Sequence, residues 1–282
     1  MLKNTPKILA HISSIKNNNF VTPEYILNKG TDSVNLFNRY CPHRMYPMHV
    51  PGTTTNEIVC NLHNFKWDIN GTPLNNSKKI NCGNADIGRS GLIFKDFKEP
   101  DHFWVDDLAK EQDLQYSHSY IGKGNGSWLW TMDIQNDLLH IHKEVGGIHP
   151  ELAHAINLDE VEMYIGDDNW VLQTHKTGWW LFIYPYTFIE YGRHGCLCVN
   201  FITPNTNTSE FGFEWISQYY YSPLVTPLQR EEFETLDLAF NQDVTAAEKQ
   251  KGPYFPLMST TNRLEEHCVH FGKWVKSNLI KN

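Results

Sequence analysis

Two short runs, Cys41-Pro42-His43-Arg44 and Cys60-Asn61-Leu62-His63, each offer one thiolate and one imidazole, and the first His is followed by residues 44–59 before the second Cys. Each pair fits a single tight loop, and two such loops side by side would clamp a metal centre. Two Cys and two His suit a structural zinc, which is tetrahedral and closed. They also suit a two-iron, two-sulfur cluster with thiolates on one iron and imidazoles on the other. Zinc fingers usually pair Cys with Cys and His with His, whereas here each loop supplies one of each. The mixed loops therefore favour the cluster.

A second group lies further along. Asp137 and His140 fall at i, i+3 in Trp128–His142, a run whose apolar spacing predicts a helix, so the two share a helical face. His142 ends that run, and His149-Pro150 follows the break at Gly146-Gly147. Two imidazoles and a carboxylate on one face of an iron leave positions open for dioxygen, which is the chemistry of non-haem Fe(II) oxygenases.

The elements that must position these residues change character near residue 110. Upstream, Gly30, Pro42, Pro51-Gly52, Asn70-Gly71, Gly83 and Gly91 punctuate short strand-like runs, and Asn70-Gly71 after Phe65–Ile69 is a hairpin signal. Residues 1–110 read as an antiparallel β module. In 111–282, Gly122–Ser127 reads as a flexible loop, and strands are expected at Glu160–Ile165, Trp170–Thr174, Trp179–Tyr191, Gly195–Thr203 and Phe211–Tyr221. Helices are expected at Pro227–Gln250 and Thr261–Leu279, the last with Asn262 and Glu265 as a capping box and a stripe of Leu264, Cys268, Phe271 and Val275. The outline is α+β with an antiparallel sheet. Trp180, Phe182, Tyr184, Tyr186 and Phe188 would share one sheet face, and Phe211, Phe213 and Trp215 a second. Such stripes either pack under a helix or line a pocket for a flat apolar molecule or a quaternary ammonium head.

Composition narrows the partners. The 24 Lys and Arg against 32 Asp and Glu give a net charge of −8, with no basic run, which argues against nucleic acid. The longest apolar run, around Gly178–Ile183, is far too short to span a membrane. Met1–Ala10 holds two Lys and a Pro without an apolar stretch, so no export signal is expected, the six Cys are expected as reduced thiols or metal ligands, and the expected location is cytoplasmic.

Cys41, His43, Cys60 and His63 match one for one the C-x-H-x(15–19)-C-x-x-H motif of the Rieske family, which this stretch resembles. Arg44 and the run His63-Asn-Phe-Lys-Trp-Asp-Ile-Asn-Gly71 are similar to the oxygenases of that family, with Phe65 and Trp67 in place of their Trp and Phe. Further on, Trp128, Asp137, His140 and His149-Pro150 resemble the family's W-x(8)-D/E-x-x-H-x(4)-H-P segment, except that eight residues separate the two His. A rival register from Trp130 takes His142 as the first iron ligand but puts Leu139 where the family has an acid, so His140 is preferred. Asn241–Gly252 resembles the family's late E-D-x(4)-E-x-x-Q-x-G stretch, one residue shorter between Glu248 and Gln250, and Asp243 falls on the Asp that binds iron.

The resemblance implies an N-terminal Rieske [2Fe–2S] domain and a helix-grip catalytic domain holding a mononuclear Fe(II) on His140, His149 and Asp243. It implies electrons from a separate NAD(P)H-dependent reductase or ferredoxin, consumption of O2, and hydroxylation or demethylation of a small organic substrate. It further implies a homotrimer in which Asp137 meets a cluster histidine of a neighbouring subunit. His149-Pro-Glu-Leu152 and Trp179-Trp180 look like the carnitine, choline and betaine branch. An alternative expectation is a Rieske electron-transfer or redox-sensing protein whose second domain binds a ligand without chemistry.

Overall fold

The structure is a computed structural model describing residues 7–15, 19–22, 25–30, 33–51, 57–88, 91–95, 103–141, 148–149, 152, 156–166, 169–184, 187–204, 212–250 and 254–278. It divides into two compact units, Pro6–Glu111 and, apart from the first residues of the chain, Gln112–Asn282.

The first unit contains β1 (Lys7–His11), β2 (Asn19–Val21), β3 (Tyr25–Lys29), β4 (Val34–Asn38), β5 (Glu57–Cys60), β6 (Phe65–Asp68), β7 (Cys82–Ile87), β8 (Leu92–Lys95) and the α-helix α1 (Phe103–Glu111). Six strands form an antiparallel sheet in the order β1-β8-β7-β4-β3-β2, while β5 and β6 pair as a separate hairpin. Strand periodicity sends neighbouring residues to opposite faces. Thus Leu27 and Leu36, register partners, join a core with Val34 and Ile93, whereas Ile26 and Phe37 join a second core with Met48, Ile58, Trp67 and Ile80. The second core underlies the Cys/His loops. Asn70-Gly71 does make a turn: Gly71 adopts φ +76°, and a Cβ there would meet the Ile80 carbonyl oxygen at 2.5 Å.

The second unit contains β9 (Gln115–Gly124), α2 (Trp128–Asn136), β10 (Glu162–Ile165), β11 (Trp170–His175), β12 (Gly178–Ile183), β13 (Thr187–Gly192), β14 (Cys196–Pro204), β15 (Phe213–Tyr221), α3 (Pro227–Lys249) and α4 (Glu266–Asn278). Its sheet is antiparallel throughout, with seven strands in the order β10-β11-β12-β13-β14-β15-β9. Trp180, Phe182, Phe188 and Trp215 from the sheet meet Met132 of α2, Phe240 and Val244 of α3 and Phe271 of α4 in one core. The α+β reading and the helix-grip arrangement hold.

Several local expectations do not. The Gly122–Ser127 stretch is not a free loop: β9 continues to Gly124 beside β15, and a Cβ on Gly122 would lie 2.0 Å from the Trp215 ring. The glycine lets a backbone cross a large aromatic face. Trp179–Tyr191 is not one strand but the hairpin β12–β13, so Phe182 and Phe188 face each other across strands, stacked at 4.5 Å between ring centroids. Tyr186 and Phe211 lie outside the described residues. The predicted helix over Trp128–His142 stops at Asn136, for a reason that concerns the site. The expected Asn262/Glu265 box caps a 3-10 turn, Arg263–Glu265, ahead of α4; Asn262 accepts from the Leu264 amide, but Glu265 accepts from Thr260 instead.

Among the described residues, no helix is long and apolar enough to cross a membrane.

Candidate metal centres

In the first unit, the loop after Cys41 and the loop after Cys60 turn back in the same way. Each passes through a left-handed residue four positions beyond its Cys, Met45 at φ 53° and Asn64 at φ 54°. Cys41 and Cys60 are buried in the second core, while His43 and His63 are exposed, with their Nδ1 atoms 3.3 Å apart. The four side chains are therefore sorted, sulfur inside and imidazole outside. Burial pushes the Cys41 thiol up and Cys60 beside it adds to this, while the backbone amides of His43 and Arg44 pull the other way. Amide donors aimed at a buried sulfur fit a thiolate that carries metal. Thiolates at a buried end and paired imidazole nitrogens at an exposed end also fit a [2Fe–2S] cluster better than a single closed zinc.

In the second unit, α2 ends because Asp137 leaves the helix. Its backbone is extended at φ −80°, ψ 110°, and its side chain accepts from the Leu139 amide at 2.9 Å, a local bond that competes with continued helix. Asp137 and His140 accordingly do not share an α-helical face. Asp137 caps α2, and His140 lies in the 3-10 turn Leu138–Ile141. That turn brings the His140 Nδ1–H onto the Asp137 carbonyl oxygen, which leaves Nε2 free to face inward.

His149 is buried beside it, its Nδ1–H donating to Gln242 Oε1 at 2.6 Å and its Nε2 lying 2.7 Å from Asp243 Oδ1. His140 Nε2 is 3.5 Å from the same oxygen. Asp243 is placed by α3, whose start is fixed by a capping box of Thr226 with Gln229 and by Pro227 in the first turn. Its other oxygen, Oδ2, accepts from Gln135 of α2. One candidate ligand atom from each of His140, His149 and Asp243 thus lies within 4.8 Å of the others, the one group of this kind among the described residues. Each ligand's second polar atom is occupied by a protein partner, the arrangement that orients metal ligands. Two imidazoles and one carboxylate converging from one side fit a mononuclear iron with open positions. His142 and Pro150 lie outside the described residues.

The triad opens on a pocket walled by Leu138, Ile141, Trp180, Phe188, Leu236 and Phe240, with about 390 Å³ of atom-free space counting its mouth. Burial pushes Asp137 up, with the Leu139 amide and His140 opposing and Glu265 and Asp243 adding. Three functional candidates were not foreseen from sequence: Gln135, Gln242 and Glu190. Gln242 precedes Asp243 and Gln135 stands two before Asp137, so proximity to the motifs was the available signal. Glu190 follows Phe188 by two on a strand, which places it on the same face as the predicted aromatic stripe.

Residues 8–82 match the family model described as the Rieske [2Fe-2S] domain. No curated protein matches the sequence at a significant level. Among solved structures, the chain is similar to the quaternary ammonium Rieske monooxygenase CntA bound to an inhibitor, with TM-score 0.67 and 16% identity over 96% of this chain and 88% of that one. The complex of CntA with its substrate L-carnitine gives 0.65 and 17% over the same shares. NdmA of Pseudomonas putida CBB5 gives 0.56 and 13% over 98% and 90%, and dicamba monooxygenase 0.56 and 12% over 98% and 97%. At these identities the likeness is one of fold, and it extends across both units.

Proposed function

We propose, for a chain that carries a Rieske [2Fe-2S] domain at residues 8–82 and has the fold of Rieske monooxygenases over almost its full length, that the protein is a Rieske-type oxygenase. It would use O2 and electrons from a separate reductase or ferredoxin to hydroxylate or demethylate a small organic substrate. The observation that carries the reading is the second centre. His140, His149 and Asp243, drawn from a 3-10 turn, the stretch after it and α3, converge at the floor of an aromatic pocket. An electron carrier or redox sensor needs no such triad, and this is what sets the oxygenase above that alternative.

Cys41, Cys60, His43 and His63 would hold the cluster, and His140, His149 and Asp243 the mononuclear iron; His142 is the alternative ligand. When bound, the two centres supply electron storage and reductive activation of dioxygen. The chain's own part is positioning. The Asp137 carbonyl and Gln242 Oε1 each fix one histidine with its Nδ1 protonated, so that Nε2 is presented. Gln135 holds Asp243 Oδ2, which leaves Oδ1 turned to the histidines. Trp180, Phe188 and Phe240 exclude water from the reacting face. Asp137, carried at the end of α2, would pass electrons by accepting a hydrogen bond from a cluster histidine of a neighbouring subunit in a homotrimer. The division into 1–110 and 111–282 would separate the two roles. Inter-subunit electron transfer is described for a quaternary ammonium Rieske monooxygenase of this fold.

The test is metal and sulfide analysis with low-temperature EPR of the purified protein. The reading expects a brown protein, acid-labile sulfide, a reduced-cluster signal and a further high-spin Fe(II) that binds nitric oxide. A colourless, zinc-loaded and sulfide-free protein sinks it. A brown protein that takes no further iron favours the electron carrier.

A further inference from the structure

One transverse row of the seven-stranded sheet runs from the pocket to a sheet edge. Trp180, Glu190, Cys198, Tyr219 and His118 are successive register partners on β12, β13, β14, β15 and β9, so their side chains share one face. Trp180 and Glu190 line the pocket of the metal triad, and His118 stands exposed at the far end. Beside this row Cys196 lies opposite Tyr221. Cys196, Cys198, Tyr219 and Tyr221 are all buried and form a small core with Val225 and Phe233, apart from the main one. Two carboxylates of α3 attend the phenols. The Tyr221 hydroxyl donates to Glu234 Oε1 at 2.7 Å, and the same oxygen lies 3.9 Å from His118 Nε2. Asp237 approaches the hydroxyls of Tyr219 and Ser217. Ser217 Oγ donates to Asn200 Oδ1 at 2.6 Å and Asn200 Nδ2 to Glu190 Oε2 at 3.0 Å, so a polar web leads from Asp237 back to the pocket wall. The Tyr219 ring stacks on His118 at 4.9 Å and on Tyr221 at 6.2 Å between centroids. Burial pushes the Cys198 thiol and both phenols up, and the carboxylates around them add to it, so all three keep their protons at neutral pH.

Leucine, valine and phenylalanine would fill such a space without the cost of burying hydroxyls beside acids. What the two thiols and two phenols share is that each gives up an electron far more readily than an aliphatic side chain. A phenol that loses an electron becomes strongly acidic, and in a dry interior the positive charge is costly unless its proton leaves at once. Asp237 and Glu234 stand where that proton must go. Cys198 fills the gap between the pocket wall and Tyr219, about 10 Å across two strand spacings. We propose that Cys198, Tyr219 and Tyr221 form a relay that draws oxidising equivalents out of the pocket when oxygen is reduced there without substrate. This rests on the oxygenase reading for the source of the oxidant. Hydrogen peroxide left in the pocket gains two electrons, one from each phenol, and the two phenol protons follow by way of Asp237 and Glu234. One peroxide and two phenols thus become two waters and two phenoxyl radicals. A soluble thiol at the His118 edge returns a hydrogen atom to each radical, and two such thiols leave as one disulfide. The side chains spared are those the pocket cannot lose, His140, His149 and Trp180.

The experiment exposes the reduced, iron-loaded protein to hydrogen peroxide without organic substrate, freezes it during the reaction and records EPR, with peptide mass spectrometry on the same samples. Wild type is expected to give a phenoxyl radical whose hyperfine structure narrows when the protein is made with ring-deuterated tyrosine, and whose decay is hastened by glutathione. Tyr219→Phe combined with Tyr221→Phe should lose that signal, while oxidation of Trp180, His140 and His149 rises several-fold. A wild type without a tyrosine radical, a radical that persists in the double variant, or pocket oxidation unchanged by the substitutions overturns the proposal. Should the double variant not fold, the wild type decides by mass. Oxidation concentrated at Cys198, Tyr219 and Tyr221 supports the relay, and oxidation concentrated at the triad overturns it. Iron content and cluster spectrum of the same samples report on the oxygenase reading. A protein that takes no mononuclear iron overturns both ideas, whereas one that takes it and forms no tyrosine radical overturns the relay alone.

Discussion

The two candidate centres are built in opposite ways. In the first unit the four donors come from two loops within 41–63, each turning at the same offset from its cysteine, and the hairpin β5–β6 supplies the second loop. In the second unit the donors are spread from 140 to 243, and they meet because α3 packs against α2, where Gln135 holds Asp243. A site made of local turns carries its geometry in its spacing. A site made of distant segments carries it in packing, and tolerates the longer His140–His149 interval because the chain between them need only return. Such an insertion inside the 41–44 or 60–63 loop would displace a ligand from its turn.

That contrast can be broken at its strongest point. Cys41→Ser or Cys60→Ser should abolish the visible absorption of the cluster and all turnover while leaving the mononuclear iron, as read by sulfide analysis and EPR. Loss of both centres together would mean that the two are not independently built. Conversely, His149→Ala and Asp243→Ala should remove the mononuclear iron and turnover with the cluster spectrum intact. Full iron and activity in either variant would strike that ligand from the set.

The register of the second site gives a finer distinction. His140→Ala should lose the mononuclear iron and His142→Ala should keep it, measured by metal content after gel filtration. The reverse would move the site to the rival register, with Leu139 where the acid is expected. Asp137→Asn should retain both metals yet lower turnover by about 100-fold, because the hydrogen-bond geometry survives without the charge. Its readout is the rate of electron arrival at the second centre in stopped flow, which a purely structural role would leave unchanged. The smallest effect is expected at Gln242→Ala, where His149 loses the acceptor that fixes its tautomer and iron affinity should fall about ten-fold. A competitive chelator titration measures it, and unchanged affinity would show that Asp243 alone orients the ring.

Several features were legible in the residues for physical reasons. Asn70-Gly71 demands a turn that only a left-handed residue makes comfortably, and Gly71 makes it. Pro227 behind Thr226 and ahead of Gln229 starts a helix wherever it occurs, and α3 begins there. The Cys/His runs were readable because a loop of four residues has few ways to turn. The failures have local physical causes as well. Trp128–His142 looks helical by apolar spacing, but Asp137 takes a bond to the Leu139 amide and ends α2 early, a competition between side chain and backbone that periodicity does not register. Trp179–Tyr191 looks like one strand because alternation persists through the turn of a hairpin, and Pro185 was the sign against it.

By itself, then, the sequence determined the donor types, the two-loop clamp of Cys41, His43, Cys60 and His63, the antiparallel β module and the α+β layout that follows. These depend on contacts within a few residues, where covalent geometry limits the choices. Tertiary structure decided which distant groups become neighbours. It seated Asp243 against His149, set Gln242 and Gln135 behind the ligands, and buried Glu190 in the same pocket wall as Trp180 and Phe188. The pairings around His149 and Asp243 do not follow from spacing, because bringing together residues roughly a hundred apart is settled by how an apolar helix face and an aromatic sheet face exclude water, and polar groups caught between them must find whichever partners that packing supplies.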